Sequence, residues 1–140
     1  MCIRDRFIND RFGHSVGDEV IKYVAGCIKQ RVKGSGFAGR FGGDEFVLCI
    51  TDPKQIEEIE SLSLDLIDEL YEGYHSELAN VSINVKASIG IAFYPEHGDD
   101  SNKVVAAADE AMYFVKKNGK ANYHIYQPED SEMEDLQHTL

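Results

Sequence analysis

Residues 42–46 read Gly-Gly-Asp-Glu-Phe, and this stretch decides the fold. It lies between two apolar runs, Phe-Ala-Gly-Arg-Phe at 37–41 and Phe-Val-Leu-Cys-Ile at 46–50. Two glycines between such runs suit a tight turn that needs positive φ, so the sequence predicts a β-hairpin. Asp44 and Glu45 repel each other as neighbours but suit a divalent cation, because hard cations take oxygen ligands. The alternative is a surface hairpin with two solvated acids.

Composition limits the class of protein. The chain has 140 residues, 43% of them hydrophobic and 28% charged, which is enough for one domain with its own core. A net charge of −11 argues against binding nucleic acid through a basic face. The sequence shows no apolar run of membrane-spanning length and no signal peptide. The three cysteines match no zinc pattern and suggest free thiols, so we expect a reducing, cytoplasmic setting.

Three further motifs surround the hairpin. Residues 7–18 read Phe-Ile-Asn-Asp-Arg-Phe-Gly-His-Ser-Val-Gly-Asp, and residues 87–92 read Ala-Ser-Ile-Gly-Ile-Ala. Residues 108–120 read Ala-Asp-Glu-Ala-Met-Tyr-Phe-Val-Lys-Lys-Asn-Gly-Lys. Together with 42–46, in this order, they resemble the GGDEF family of bacterial diguanylate cyclases. The resemblance covers about residues 7–126, which we expect to form the family domain.

The resemblance implies a reaction in bacterial signal transduction. Two domains form a homodimer, each holding one GTP, and each 3′-hydroxyl attacks the α-phosphate of the other GTP. Two pyrophosphates leave, and the two phosphodiester bonds complete the ring of cyclic di-GMP. By resemblance, Asp44 and Glu45 are the catalytic residues and the ligands of Mg²⁺ or Mn²⁺. A metal would lower the pKa of the attacking hydroxyl and stabilise the charge of the transition state.

The resemblance also assigns substrate-binding residues. Asn9 and Asp18 would hold guanine, since a carboxylate accepts two adjacent donors and an amide both donates and accepts. The alternative is that Asn9 is a turn residue and Asp18 a helix cap. Arg40 would orient the carboxylates or bind phosphate, while Gly42 and Gly43 would leave room for phosphate oxygens.

Lys116 and Lys120 would contact phosphates by the same resemblance. The alternative is a basic helix end that interacts favourably with the helix dipole. Many family members bind their product at an Arg-x-x-Asp site before the Gly-Gly turn. Here residues 33–36 read Lys-Gly-Ser-Gly, so we expect no tight product inhibition through this site.

Periodicity predicts the secondary structure. In chain order the predicted elements are a helix at 18–32, the hairpin at 37–50, a helix after Pro53 capped by Thr51 or Asp52, a strand at 81–93 with a bend or bulge, a helix at 102–118 capped by Ser101, and a short strand at 123–126. This order predicts an α+β fold with an antiparallel-rich sheet flanked by helices. The family has a nucleotidyl cyclase sheet similar to a polymerase palm.

The two ends depart from the family. Residues 1–6 carry three charges, so we expect a non-family stub in place of the family's buried first strand. Counting back from Asn9 places the family's strand-borne metal Asp at Met1. We therefore expect a truncated domain that lacks its first strand and an upstream sensory domain. Residues 127–140 hold five acids and no Lys or Arg, which predicts a disordered acidic tail.

Three functions remain open from the sequence. The first is a diguanylate cyclase domain that is inactive in this truncated form. The second is a non-catalytic GGDEF domain that binds GTP and regulates a neighbour. The third is an interaction domain whose acids are surface charge. Magnesium-dependent GTP binding separates the third from the first two, and product formation separates the first from the second.

Overall fold

The computed structural model describes residues 1–3, 5–118 and 122–130, without the side chains of residues 5–7. The chain divides into two compact units, Met1–Ala87 and Ser88–Leu140. Helices and strands alternate irregularly along both units. In chain order the elements are β1 (Cys2–Ile3), α1 (Asp5–Phe12), α2 (His14–Val32), β2 (Gly36–Gly42), β3 (Glu45–Ile50), α3 (Ile56–Glu72), β4 (Tyr74–Ser76), β5 (Val81–Ile83), β6 (Ala87–Ile91), α4 (Ser101–Lys117) and β7 (Tyr123–Ile125).

The pairing of these strands is mostly antiparallel. In the first unit β3 pairs antiparallel with β2 and with β1, and β4 pairs antiparallel with β5. In the second unit β6 and β7 run parallel, with Ile89 opposite Tyr123. The predicted α+β class with an antiparallel-rich sheet and flanking helices is confirmed.

The core of the first unit forms where α2 packs against α3. Val20 and Val24 of α2 and Leu66 and Leu70 of α3 are each 0% exposed. Burying one such side chain contributes roughly 1.5–3 kcal/mol, so this contact is a main source of stability. In the sequence, the apolar residues of both helices recur at 3.6-residue spacing, which predicts these buried faces. The same spacing predicts an inner position for Ile56, but Ile56 is 52% exposed.

The first strand is the clearest correction. Cys2 and Ile3 lie in the sheet despite the charges that follow them, and Ile3 is only 1% exposed. Cys2 pairs with Glu45 of β3. The strand is not missing but is two residues long. It forms because backbone hydrogen bonds to β3 need only Cys2 and Ile3 to be compatible with burial, and the charged residues begin after them.

Helix starts were predicted less well than helix bodies. α2 begins at His14 after Gly13, so Asp18 lies within the helix and is not its cap. α3 begins after Gln55 rather than after Thr51 or Asp52. The residue that caps α4 was predicted one position too late. The Asp100 side chain, not Ser101, caps α4 by accepting from the Lys103 N–H at 2.8 Å.

The strand predicted at 81–93 is divided between β5 and β6. This division agrees with the bend or bulge expected within that strand.

The predicted disordered tail begins with ordered residues. Residues 128–130 form a helical turn, and Asp130 is only 6% exposed. Its carboxylate lies 3.1 and 3.2 Å from Nε2 of His124 and accepts from the Gln127 N–H at 2.8 Å. Residues 131–140 of the tail prediction lie outside the described residues. In the part of the chain that the structure describes, no helix is long and apolar enough to cross a bilayer.

Candidate functional site

The Gly-Gly turn has the backbone that the sequence predicted. Gly42 has φ 141° and Gly43 has φ 53°, both in the region that L-residues avoid. A Cβ added at either glycine would meet nothing within 4 Å. The glycines are therefore required by conformation, and the space above the turn is open to a ligand.

Arg40 braces this turn from β2. Its Nε and NH2 groups donate to the Gly43 carbonyl at 2.8 and 2.5 Å. The guanidinium is exposed and lies beside the turn. Two donors on one carbonyl hold the hairpin end closed, a role that the sequence did not predict for this side chain.

The N-terminal segment with β1 bonds to the backbone on both sides of Glu45. The Ile3 N–H donates to the Asp44 carbonyl at 3.1 Å, and the Phe46 N–H donates to the Met1 carbonyl at 2.9 Å. The N-terminal ammonium of Met1 donates to the Phe46 carbonyl at 3.0 Å. Because these bonds flank Glu45 on both sides, Asp44 and Glu45 project from a backbone that two neighbouring strands fix.

The donor set for a divalent cation is incomplete in this region. Asp44 and Glu45 are half-buried and supply hard carboxylate oxygens. Met1, where counting back from Asn9 predicted the metal Asp of the resembled family, is buried and carries a thioether, which is a soft ligand. Among the described residues, no group of three or more His, Cys, Asp or Glu is placed to hold a metal. Two carboxylates still fit Mg²⁺ when substrate phosphates complete its shell.

Asn9 and Asp18 lie on two helices that pack against each other. Asn9 is half-buried near the end of α1, and its carbonyl accepts from the Gly13 N–H at 2.8 Å. Gly13, with φ 91°, is the single residue between α1 and α2. Asp18 is exposed in the second turn of α2. The Gly13 junction therefore brings the two helix segments together.

The two predicted phosphate-binding lysines belong to the second unit. Lys116 is exposed in the last turn of α4. Its position also fits the alternative of a basic helix end, since Lys117 follows it in the same turn. Lys120 lies outside the described residues.

A row of polar side chains on α2 was not predicted from the sequence. Glu19, Tyr23, Cys27 and Arg31 follow each other at four-residue spacing, and we call them the polar stripe. Residues four apart lie on one helix face. This four-residue spacing is visible in the sequence, but the prediction of the helix was based on the apolar face beside it.

The N-terminal half of the polar stripe contacts β4. One carboxylate oxygen of Glu19 accepts from the Tyr74 hydroxyl and the other from the Ser76 hydroxyl, each at 2.6 Å. These bonds, that from Ser76 first, hold the pKa of Glu19 below its ordinary value. The rings of Tyr23 and Tyr74 stack with centroids 4.7 Å apart.

The C-terminal half of the polar stripe contacts α3. Arg31 donates through Nε to Glu69 at 3.1 Å, makes a second bond to Glu69 through NH2, and lies 3.7 Å from Asp65. Burial, followed by a hydrogen bond with Glu69, raises the pKa of Cys27 to about 11. The hydrogen bonds from Cys27 and Arg31 lower the pKa of Glu69.

Comparison with known proteins identifies a family that matches most of the chain. Residues 3–122 match the family described as "Diguanylate cyclase, GGDEF domain". The match begins four residues before the predicted boundary at residue 7, within β1. It therefore includes Ile3, the second residue of β1, and leaves out Cys2.

Individual relatives show the same similarity over most of the chain. The signaling protein YkoW of Bacillus subtilis is 33% identical over 88% of this chain, and 15% of its own length is matched. The bifunctional diguanylate cyclase/cyclic di-GMP phosphodiesterase MucR of Pseudomonas aeruginosa is 32% identical over 86% of this chain and 17% of its own length. The chain thus spans less than a fifth of each of these relatives.

A solved structure extends the comparison to the fold. The isolated GGDEF domain of YfiN from Pseudomonas aeruginosa superposes with a TM-score of 0.88 at 27% identity. The match covers 95% of this chain and 78% of that structure. The chain belongs to the GGDEF family of diguanylate cyclase domains.

Proposed function

We propose that this domain binds GTP at the Gly-Gly turn as a diguanylate cyclase domain, whose complete form condenses two GTP into cyclic di-GMP. The observation that carries the proposal is the turn itself. Asp44 and Glu45 project from a backbone held by β1 and β2 on either side of β3, and the space over Gly42 and Gly43 is open.

Each residue has a defined part in the proposed chemistry. Asn9 and Asp18 bind the guanine edge, and the backbone at Gly42 and Gly43 lies against the phosphates. Asp44 and Glu45 would hold Mg²⁺, which when bound neutralises phosphate charge and lowers the pKa of the attacking hydroxyl. Arg40 keeps the turn closed beneath the phosphates. Lys116 and Lys120 would add positive charge.

The reaction requires two copies of the domain. The 3′-oxygen of one GTP forms a bond to the α-phosphorus of the other, while the bond from that phosphorus to pyrophosphate breaks. The proton of the 3′-hydroxyl goes to a carboxylate of the turn or to water. Because each GTP is attacked by the other, a homodimer is the working unit. The substrate and the free thiols of Cys2, Cys27 and Cys49 suit the cytoplasm.

The chain itself turns GTP over slowly or not at all. The thioether of Met1 lies where the family carries a carboxylate, so one hard ligand is missing from the metal site. This observation favours the second candidate, a GGDEF domain that binds GTP and regulates a neighbouring domain without making product. A sensory domain upstream of the GGDEF domain is part of the same proposal.

Two measurements test the proposal. Calorimetry of GTP binding with and without Mg²⁺ should show metal-dependent binding in the chain and weaker binding in Asp44→Asn. Chromatography should detect cyclic di-GMP only from a variant whose residues 1–6 are replaced by an apolar strand ending in Asp-Ile-Asp-Ala-Phe-Lys, called the restored variant below. GTP binding that is indifferent to Mg²⁺ and to Asp44→Asn would contradict the proposed site.

A further inference from the structure

The N-terminal end of α2, which carries Asp18, lacks a side-chain cap. α2 follows Gly13, whose φ of 91° allows the chain to change direction, and no side chain caps its N-terminus. The backbone N–H groups at an uncapped helix end lack partners, so such ends fray. The N–H of Gly17 does bond to the Gly13 carbonyl, at 3.1 Å. Burial of Val16 and Val20 packs this segment against the rest of the unit, and polar contacts to its exposed side fix its rotation further.

Glu19 supplies such a contact one residue after Asp18. Its two carboxylate oxygens each accept a hydroxyl hydrogen bond of 2.6 Å, from Tyr74 and from Ser76. Bonds to an ionised acceptor are about twice as strong as neutral ones. Ser76 is 0% exposed, and its Oγ also accepts from the Ala79 N–H at 3.2 Å. The partner is therefore fixed within the β4–β5 hairpin.

A second contact prevents rotation about the first. Tyr23 lies one turn after Glu19 on the same face of α2, and its ring stacks on Tyr74 at 4.7 Å with 28° between the planes. Tyr74 thus holds α2 at two points, by its hydroxyl and by its ring. Two points on one helix face fix both the rotation and the axial position of that part of α2.

Rotation of α2 matters because Asp18 acts at the helix surface. A side-chain tip lies about 5–6 Å from the helix axis, so a turn of about 20° moves it by about 2 Å. A misplacement of about 1 Å in a binding group can cost a large factor in activity. Small changes at Glu19 therefore become large displacements of the Asp18 carboxylate.

We propose that Glu19 is a positioning residue for guanine recognition: by binding Tyr74 and Ser76 of β4, it fixes the direction of the Asp18 carboxylate. This inference rests on the proposed function, in which Asp18 binds guanine. It assigns a specificity role to the β4–β5 hairpin, which contains none of the residues of the proposed site.

The experiment measures selectivity rather than stability alone. Competition of GTP and of ATP against a labelled GTP analogue gives a GTP-to-ATP affinity ratio for the wild-type chain and each variant. Glu19→Ala removes the anchor from α2, and the double variant Tyr74→Phe/Ser76→Ala removes both donors while keeping the stacked ring. Glu69→Gln is the matched control, because it weakens the other end of the polar stripe at Arg31.

We expect the GTP-to-ATP affinity ratio to fall toward one, by up to about tenfold, in Glu19→Ala and in the double variant, through weaker GTP binding. Glu69→Gln should lower the urea midpoint of unfolding but keep the ratio within about twofold of wild type. If Glu19→Ala does not fold, Tyr74→Phe alone should still lower the ratio about threefold. An unchanged ratio in the folded variants overturns the positioning role. A wild-type chain that does not prefer GTP overturns the guanine site itself and this inference with it.

Discussion

The Gly-Gly turn and the first strand meet at Glu45, yet they are encoded in different ways. The turn depends on its own residues, because Gly42 and Gly43 adopt positive φ and Arg40 bonds to the Gly43 carbonyl. β1 depends on backbone bonds to β3, and those bonds do not require particular side chains. A turn that depends on its own side chains can be predicted from the nearby sequence. A strand held by backbone bonds to a distant segment cannot be predicted in that way. We therefore expect substitutions in the turn to change catalysis and substitutions in β1 to change stability, each with little effect on the other property.

Loss of a turn carboxylate should have the largest effect. In the restored variant, Asp44→Asn or Glu45→Gln should lower cyclic di-GMP synthesis by at least about a hundredfold, because charge stabilisation worth several kcal/mol is lost. The urea midpoint should change little, since both side chains lie at the turn. Near-normal synthesis by both variants would show that the turn carboxylates are not the catalytic groups.

Truncation in β1 should instead reduce stability. Ile3 is 1% exposed, so Ile3→Ala should lower the free energy of unfolding by about 2–5 kcal/mol in urea titration. Phe37→Ala is the control, because Phe37 is 65% exposed and its loss should cost about 0.5 kcal/mol or less. Equal effects of the two substitutions would mean that β1 contributes nothing to the fold.

Base selection should depend on α1 and α2 and not on the turn. Adenine places an acceptor at N1 where guanine has a donor, and an unpaired buried polar group costs about 1–3 kcal/mol. GTP should therefore compete with labelled GTP about 5- to 150-fold better than ATP does. Asp18→Ala should remove most of this preference, while Asp44→Asn should weaken GTP and ATP alike. Equal competition by ATP in the wild-type chain would contradict the placement of Asn9 and Asp18.

Alkaline pH should weaken the protein through the polar stripe. Burial raises the pKa of Cys27 to about 11 and that of Tyr23 to about 12. Unfolded thiols and phenols titrate near about 8.5 and 10. The folded state therefore keeps protons that the unfolded state loses, so stability is complete below about pH 8.5 and falls as pH rises toward 12. Urea midpoints at pH 8 and pH 11 should differ less in Cys27→Ala, while Asp44→Asn should keep the wild-type difference.

The smallest effect is expected at the product site. Lys33 cannot form the planar fork of arginine, so submicromolar cyclic di-GMP should not inhibit the restored variant. Gly36→Asp would supply the aspartate of the Arg-x-x-Asp motif. It should also destabilise the fold, because a Cβ there would lie 1.8 Å from the Cys49 carbonyl oxygen. We expect a lower melting temperature for Gly36→Asp and no gain in inhibition. Submicromolar inhibition that Lys33→Ala abolishes would contradict this.

The sequence predicted what depends on nearby residues. The hairpin, the inner faces of α2 and α3, and β7 followed from turn chemistry and periodicity. It did not predict β1, because two residues give no periodicity. It also missed the contact of Glu19 with Tyr74 and Ser76, because the partners are 55 and 57 residues away along the chain. The first turns of α2 and α3 were misplaced because local side chains compete for the capping position, whereas the predicted end of α2 at Val32 was correct.

The irregular end of β2 also bears on aggregation. Arg40 pairs with Phe46 and Gly42 with Glu45, so Phe41 is an extra residue that forms a bulge. β2 is an edge strand, and its Phe37 and Phe41 are 65% and 72% exposed, which would make a straight edge a template for another chain. A bulge bends and twists a strand, so a second strand cannot continue along it. The residue that disturbs the pairing next to the Gly-Gly turn thus also limits the length of β2 along which another strand can add.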